Sequence, residues 1–443
     1  MKEHIHINEI KGWYLKKFED ITNNLKGNGK LPFSQIRKDA IARFMELGFP
    51  TTKWEDWKYT NISPILKHQY SLEKNSSMVS LQDIKRFIPK KYSENIIVFI
   101  NGEYAADLSS IKLNKEGLLI TNLKEALYAH WEDVHQYISK YANFSHEPFT
   151  ALNTALAQQG VFIKIPADLE LKNPIHLLYL SDTEDTPFQS HPRNLIIMGK
   201  RSQAKIFETH HYLSDGNYLN NAVTEIFMND DTILDHIILQ NDSRKSYRIS
   251  KTQIYQKSRS FFSTISFDLG GAIVRNNLGV SIDGENSEAN LYGFYLINGR
   301  QHVDNYTRID HLKPYCNSNE LYKGILSDRS SSVFSGSIYV AKDAQKTNAF
   351  QSNKNLLLSE EAEVNSKPQL KIFADDVKCS HGATIGQLDE EALFYLKQRG
   401  IAELDAQAML RSAFAGDVLE RISLKPLKDH IEGILDTRLK EEF

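Results

Sequence analysis

Sulfur is scarce in this chain: its 443 residues include only two cysteines, Cys316 and Cys379. Two thiols in unrelated contexts cannot staple a fold, which fits a reducing compartment where a thiol stays free for chemistry. Long apolar runs are also missing, since no uncharged stretch approaches the roughly 18 residues a membrane-spanning helix needs. The opening MKEHIHINEIKGWYLKKFED has no apolar centre of the kind a secretory signal carries. The expectation is a cytosolic protein without a membrane segment. Nor is there an excess of charge of one sign: 53 basic against 56 acidic residues leave a net charge of -3. Such a balance gives no overall field to draw the chain onto nucleic acid or an anionic membrane, so partners must be recognised by local surfaces. What is present is a 41% hydrophobic composition over a length that can bury a large core.

The spacing of apolar residues divides the chain into three parts, 1–155, 156–385 and 386–443. In the first, residues 8–26 and 34–48 read as helices, the second with Ile36, Ile41, Phe44 and Leu47 on its apolar stripe and Gly48 as its stop. NIIVFING then reads as a strand closed by an Asn-Gly turn. GNGKL at 27–31 has Leu31 where a phosphate loop needs Ser or Thr, so ATP hydrolysis is not expected of this chain. From about 160 to 385, β-branched and aromatic residues alternate with polar ones in short runs. Strand starts at 201, 229, 257 and 285 are about 28 residues apart, a period that suggests stacked coils. Later runs at 328–340 and 359–373 drift from it. A mainly β solenoid is the favoured reading and a β-sandwich the competitor. Helix returns in LDEEALFYLKQRG, with Asp389 near its start and Gly400 after it. Leu410, Phe414, Val418 and Ile422, then Leu427, Ile431, Ile434, Leu435 and Leu439, mark two further stripes, fit either for core packing or for a partner protein.

The stretch DDVKCSHGATIG places Cys379 two residues before His381. If 370–381 is one strand, Phe373, Asp375, Val377, Cys379 and His381 share a face, with Lys378 and Ser380 on the other. A thiolate and a neutral imidazole so placed suit iron or zinc. The alternative is a buried structural cysteine beside a satisfied histidine. Two ligands do not close a metal site, so the rest must come from other coils or from a second chain. His210 and His211, adjacent in THHY, fall on opposite strand faces and read as structural, as does Cys316 in its turn-like context.

The run QSNKNLLLSEEAEVNSKPQLKIFADDVKCSHGATIGQLDEEALFYLKQRGI resembles the SufB/SufD family of the SUF iron-sulfur cluster assembly machinery, on the SufD side of that family. PTTKWEDWKYTNI, VFINGEYAADLS and VRNNLGVSIDGENSEANLYGFYL extend the resemblance over about residues 50–420. It implies a right-handed parallel β-helix with helical flanks, serving as a non-catalytic scaffold subunit that supports iron acquisition. It implies partnership with a SufB-like subunit and with a SufC-like ATPase on the carboxy-terminal helices; a self-paired form is also compatible with it. By the same motif, Cys379 and His381 are expected at the SufB interface, lending ligands to a transient iron-sulfur cluster shared with the partner. The extra ligand cysteine of SufB is lacking, since this chain reads KNLLLSEEAEV there. Whether a reduced flavin supplies electrons is left open. The rival readings are a purely structural interaction solenoid and a β-helical carbohydrate-active enzyme, the latter without the carboxylate-rich groove it would need.

Overall fold

A computed structural model describes residues 2–26, 33–72, 79–89, 91–183 and 186–441; GNGKL lies outside the described residues. From residue 161 to 386 the chain winds in coils, and each coil gives one strand to each of two sheets. Sheet I runs, neighbour to neighbour, through Ile175–Ser181, Gln203–Tyr212, Ile233–Asn241, Phe261–Asp268, Glu288–Ile297, Asn317–Leu326, Asn348–Leu357 and Lys378–Gly386. Sheet II runs through Val161–Ile165, Arg193–Met198, Tyr218–Met228, Tyr247–Gln256, Ile273–Ile282, His302–His311, Ser331–Val340 and Glu363–Ile372. These neighbours pair in parallel, every second strand beside the next. That order makes a β-solenoid and excludes the sandwich, whose sheets are built from antiparallel pairs. The strand expected in NIIVFING is Asn95–Ile100; it folds back through Asn101 and Gly102, both at positive φ, and joins sheet I beside Ile175–Ser181.

Residues Gln203, Ile233, Phe261, Glu288, Asn317, Asn348 and Lys378 stack in register, so successive coils are 30, 28, 27, 29, 31 and 30 residues long. The four runs with the 28-residue spacing all belong to sheet I. The two that drift, 328–340 and 359–373, belong to sheet II, which needs the same alternation and therefore has the same texture. Two residues before six of the sheet I strands, those from Gln203–Tyr212 to Asn348–Leu357, the backbone turns through left-handed φ, at Arg201, Asp231, Arg259, Asn286, Tyr315 and Lys346. This corner, repeated coil by coil, sets the strand starts.

Helices cover the outer faces. Lys2–Lys26, Ser34–Leu47 and Pro148–Leu156 bring Tyr14, Phe44 and Phe149 onto Leu219, Ile249 and Ile273 of sheet II. In the WEDWKYT segment, Trp57 lies 4.0 Å beneath the Arg275 guanidinium, which pairs with Asp304. Glu403–Leu419 and Lys425–Glu441 bring Val418, Leu427, Ile431 and Leu435 onto Phe207, Leu239, Phe267 and Phe294 of sheet I. Most of the two carboxy-terminal stripes are thus core, each buried apolar side chain contributing about 1.5–3 kcal/mol. The helix Glu390–Gln398 starts on Asp389, whose carboxylate accepts from the Glu391 and Ala392 amides, and Gly400 follows it at φ 83°. Among the described residues no helix is long and apolar enough to cross a membrane.

One buried ion pair ties the amino-terminal region to the solenoid. Arg193 donates to Glu225 at 2.5 Å, both side chains fully buried, and Glu225 also accepts the amides of Ser139, Tyr141 and Ala142. Removing one charge strands the other in a low dielectric. Arg193→Met is expected to lower stability by about 3–5 kcal/mol in chemical denaturation, and Arg193→Met with Glu225→Gln to lose less than the two single losses combined.

Candidate functional site at the open end of the solenoid

The last strands of the two sheets, Lys378–Gly386 and Glu363–Ile372, each pair along one edge only. Among the described residues no further coil covers them, so side chains that would elsewhere be core meet solvent. The expected strand 370–381 is here two strands and a corner. Sheet II ends at Ile372, residues 373–377 turn, and sheet I resumes at Lys378. Phe373 and Asp375 therefore fall outside the alternation that aligns Cys379 with His381, because a corner breaks it, whereas Val377 packs with Cys379 against the same end cluster.

Cys379 and His381 do share a row. They pair with Ala349 and Gln351 on the inward side of sheet I, while Ser380 pairs with the exposed Phe350 outside. Two residues along a strand are about 6.6 Å apart at the backbone, so both side chains project into the mouth of the solenoid. Cys379 is half-buried against the end cluster that holds Ala349 and Leu370, and His381 is exposed. Burial pushes the Cys379 thiol up, opposed by a backbone hydrogen bond at Ala349. Beyond the pair the row continues through Ala383 to Ile385, opposite the buried Asn353 and Asn355. Beside it a depression of about 560 Å³ includes Phe350, Ser380, His381 and Gly382 and reaches Arg421.

Behind His381 the inward column continues through Gln351 to Glu320. Gln351 Nε2 donates to Glu320 Oε2 at 2.6 Å, and burial pushes the Glu320 carboxyl up to about 7. Sequence reasoning missed this polar column. The coil lengths of 31 and 30 align the three residues, but only once the sheet I register is known. Elsewhere the expectations for the other cysteine and histidines hold in placement. His210 points inward, 2.5 Å from Glu208 and stacked on Tyr179, whereas His211 points outward and stacks on Phe87. Cys316 is buried, its Sγ donating to the Gly284 carbonyl. Among the described residues no three histidine, cysteine or carboxylate side chains converge to hold a metal.

A parallel solenoid with an unclosed end coil, a Cys-x-His row in its mouth and helices on both flanks defines a helix-flanked β-solenoid protein. Comparison with known proteins places it further. The family model for the SUF system FeS cluster assembly SufBD core domain matches residues 179–414, and that for the SufBD protein N-terminal region matches 8–177. The chain belongs to the SufBD family. It is 32% identical to an iron-sulfur cluster assembly SufBD family protein of Synechocystis sp., an alignment covering 91% of this chain and 90% of that protein. It is 30% identical to the iron-sulfur cluster assembly protein SufD of Escherichia coli, over 90% of this chain and 91% of the relative. For SufD of Bacillus subtilis the identity is 25%, over 96% and 97%.

The Glu320 carboxyl gives this end of the solenoid a pH signature. Its folded value of about 7 lies above the reference 4.5, so between these pH values the folded chain keeps a proton that the unfolded chain has released. Its contribution to stability is full below 4.5 and is lost as pH rises through 7. Glu320→Gln is expected to match the wild type near pH 4.5 and to exceed it above pH 7, by at most about 3 kcal/mol at about 1.36 kcal/mol per pKa unit. Denaturant midpoints measured across this range check it; parallel pH profiles would contradict the assignment.

Proposed function

We propose that this chain is the SufD-like, non-catalytic scaffold of a cytosolic SUF assembly complex. In this reading its open coil abuts a SufB-like subunit, and Cys379 and His381 lend two ligands to a nascent iron-sulfur cluster completed by the partner. The observation that carries the reading is the inward Cys379–His381 row on the last coil, whose strands have a neighbour on one side only. The unpaired edges of Lys378–Gly386 and Glu363–Ile372 suit pairing with another solenoid end, and exposed Phe373 and Ile385 supply apolar contact beside them. The cluster is cargo: two ligands from each side bind strongly only while the interface is closed, so opening it releases what was assembled.

The same reading assigns the ATPase to the first carboxy-terminal helices. Phe394, Tyr395, Leu404 and Met409 are exposed there, Leu404 at 79%, although the neighbouring stripes are buried against sheet I. An apolar face of this kind on two consecutive helices suits a protein partner. Iron acquisition would follow from the complete complex rather than from this chain alone. The half-burial of Cys379 and its raised thiol favour a second reading, in which the cysteine only packs the end cluster and His381 alone reaches the cargo.

Co-expression with the SufB-like and SufC-like partners without oxygen, followed by visible absorption of the purified complex, separates these readings. His381→Ala is expected to remove most cluster absorption while the complex elutes unchanged in gel filtration. Cys379→Ser is expected to do the same if the thiol is a ligand, and to leave absorption intact if it only packs. Unchanged cluster content in both variants would refute the ligand role. For the second surface, Leu404→Asp is expected to reduce ATPase co-purification at least tenfold with an unaltered melting temperature.

A further inference from the structure

A second cluster of imidazoles lies far from the open end, where the last helix crosses sheet I. His176 and His211 are buried at 0% and 2% exposure, and His430 of Lys425–Glu441 packs over them half-buried. His176 Nε2 meets Thr209 Oγ1 at 2.7 Å and its ring stacks on Phe207, while its buried Nδ1 has no partner. His211 and His430 each have a buried Nε2 without a hydrogen-bond partner. Both line one cavity of about 450 Å³, together with Arg86, Phe87, Asn241 and Ile434. A buried imidazole nitrogen left unpaired is costly, and two that face one cavity point to a ligand that pairs with both, one with acceptor atoms where each ring carries its proton on Nε2.

The charge around the cavity decides which ligand. Its lining contains the Arg86 guanidinium, 4.6 Å over the Phe87 ring at the exposed rim, and, among the described residues, no carboxylate or thiol. Behind it Arg438 donates to Asn241 Oδ1 at 2.5 Å and to the Leu269 carbonyl, adding a second positive charge. Burial holds the His211 and His430 imidazoles below their usual range, so each is neutral with one N–H to give. A metal cation would meet repulsion here and lacks a third ligand. An anion would meet two N–H donors and a guanidinium, the charge-assisted pattern that suits phosphate oxygens.

We propose that this cavity binds a small oxyanion of the phosphate class, held by His211 Nε2, His430 Nε2 and Arg86. Free phosphate and the phosphoryl end of a small monoester present the same charged oxygens. Because the three residues come from the 85–87 turn, the end of Gln203–Tyr212 and the helix Lys425–Glu441, the bound anion fastens the carboxy-terminal helix to the solenoid. A ligand that binds only this folded arrangement raises its melting temperature by mass action.

The test titrates the full chain with inorganic phosphate, with glycerol phosphate and with zinc chloride, at constant ionic strength, by calorimetry and thermal melting. Saturable binding of phosphate or its monoester with a rise in melting temperature is expected, and the tighter of the two identifies the source. Arg86→Met, at an exposed position that leaves the core intact, is expected to weaken it at least tenfold. His430→Gln is expected to weaken it at least threefold, while Lys85→Met, on the same turn but outside the cavity, leaves it unchanged. Absence of saturable binding by either phosphate, binding indifferent to both cavity substitutions, or zinc binding abolished by His430→Gln would overturn the proposal.

Discussion

Each coil of this protein satisfies its backbone hydrogen bonds on the coils before and after it, and a strand with a neighbour on one side only carries a row of unmet donors and acceptors. That single requirement accounts for most of the architecture. It forces parallel register along both sheets and makes the interior a set of stacked columns. It also turns the two ends into different problems. At the amino-terminal end the chain solves it with a hairpin, Asn95–Ile100 and Glu103–Tyr104, laid against Ile175–Ser181. At the other end, among the described residues, no strand follows Lys378–Gly386 in sheet I, and that coil carries Cys379 and His381. The place where the fold is unfinished and the place where this thiol and imidazole sit are the same.

The solenoid was legible in the sequence because alternation over more than 200 residues demands many short strands, and because the 28-residue spacing falls within the actual coil lengths. The assignment of strands to sheets was not. Runs such as 257–267 and 328–340 carry the same pattern of apolar and polar residues, although the first lies in sheet I and the second in sheet II. Left-handed corners precede strands of both sheets, at Arg201, Asp231, Arg259, Asn286, Tyr315 and Lys346 for sheet I and at Asp328 for sheet II, so they mark a strand start without telling which sheet it joins. Glycine would have announced such a turn; this varied set does not, so the backbone conformation left no compositional trace.

The candidate site was partly legible for the same reason. Two-residue spacing is a local property, and Cys379 with His381 survived as neighbours on one row. The residues expected beside them from the preceding turn did not, since the corner at 373–377 cannot be seen without knowing where sheet II stops. Glu320 and Gln351 are remote in sequence and meet His381's column only through register. His176, His211 and His430 came together only when the last helix docked, a contact that no spacing encodes.

The one-sided pairing of Lys378–Gly386 also bears on motion. A strand gripped along a single edge opens more readily than those inside the stack, and its amides should exchange with solvent sooner. The Cys379 and His381 side chains are therefore mounted on a backbone gripped along one edge, and in the proposed role a second chain arriving there would set their spacing as well as complete the ligand number. On that proposal the order needed to grip a metal would be acquired on assembly and surrendered on separation.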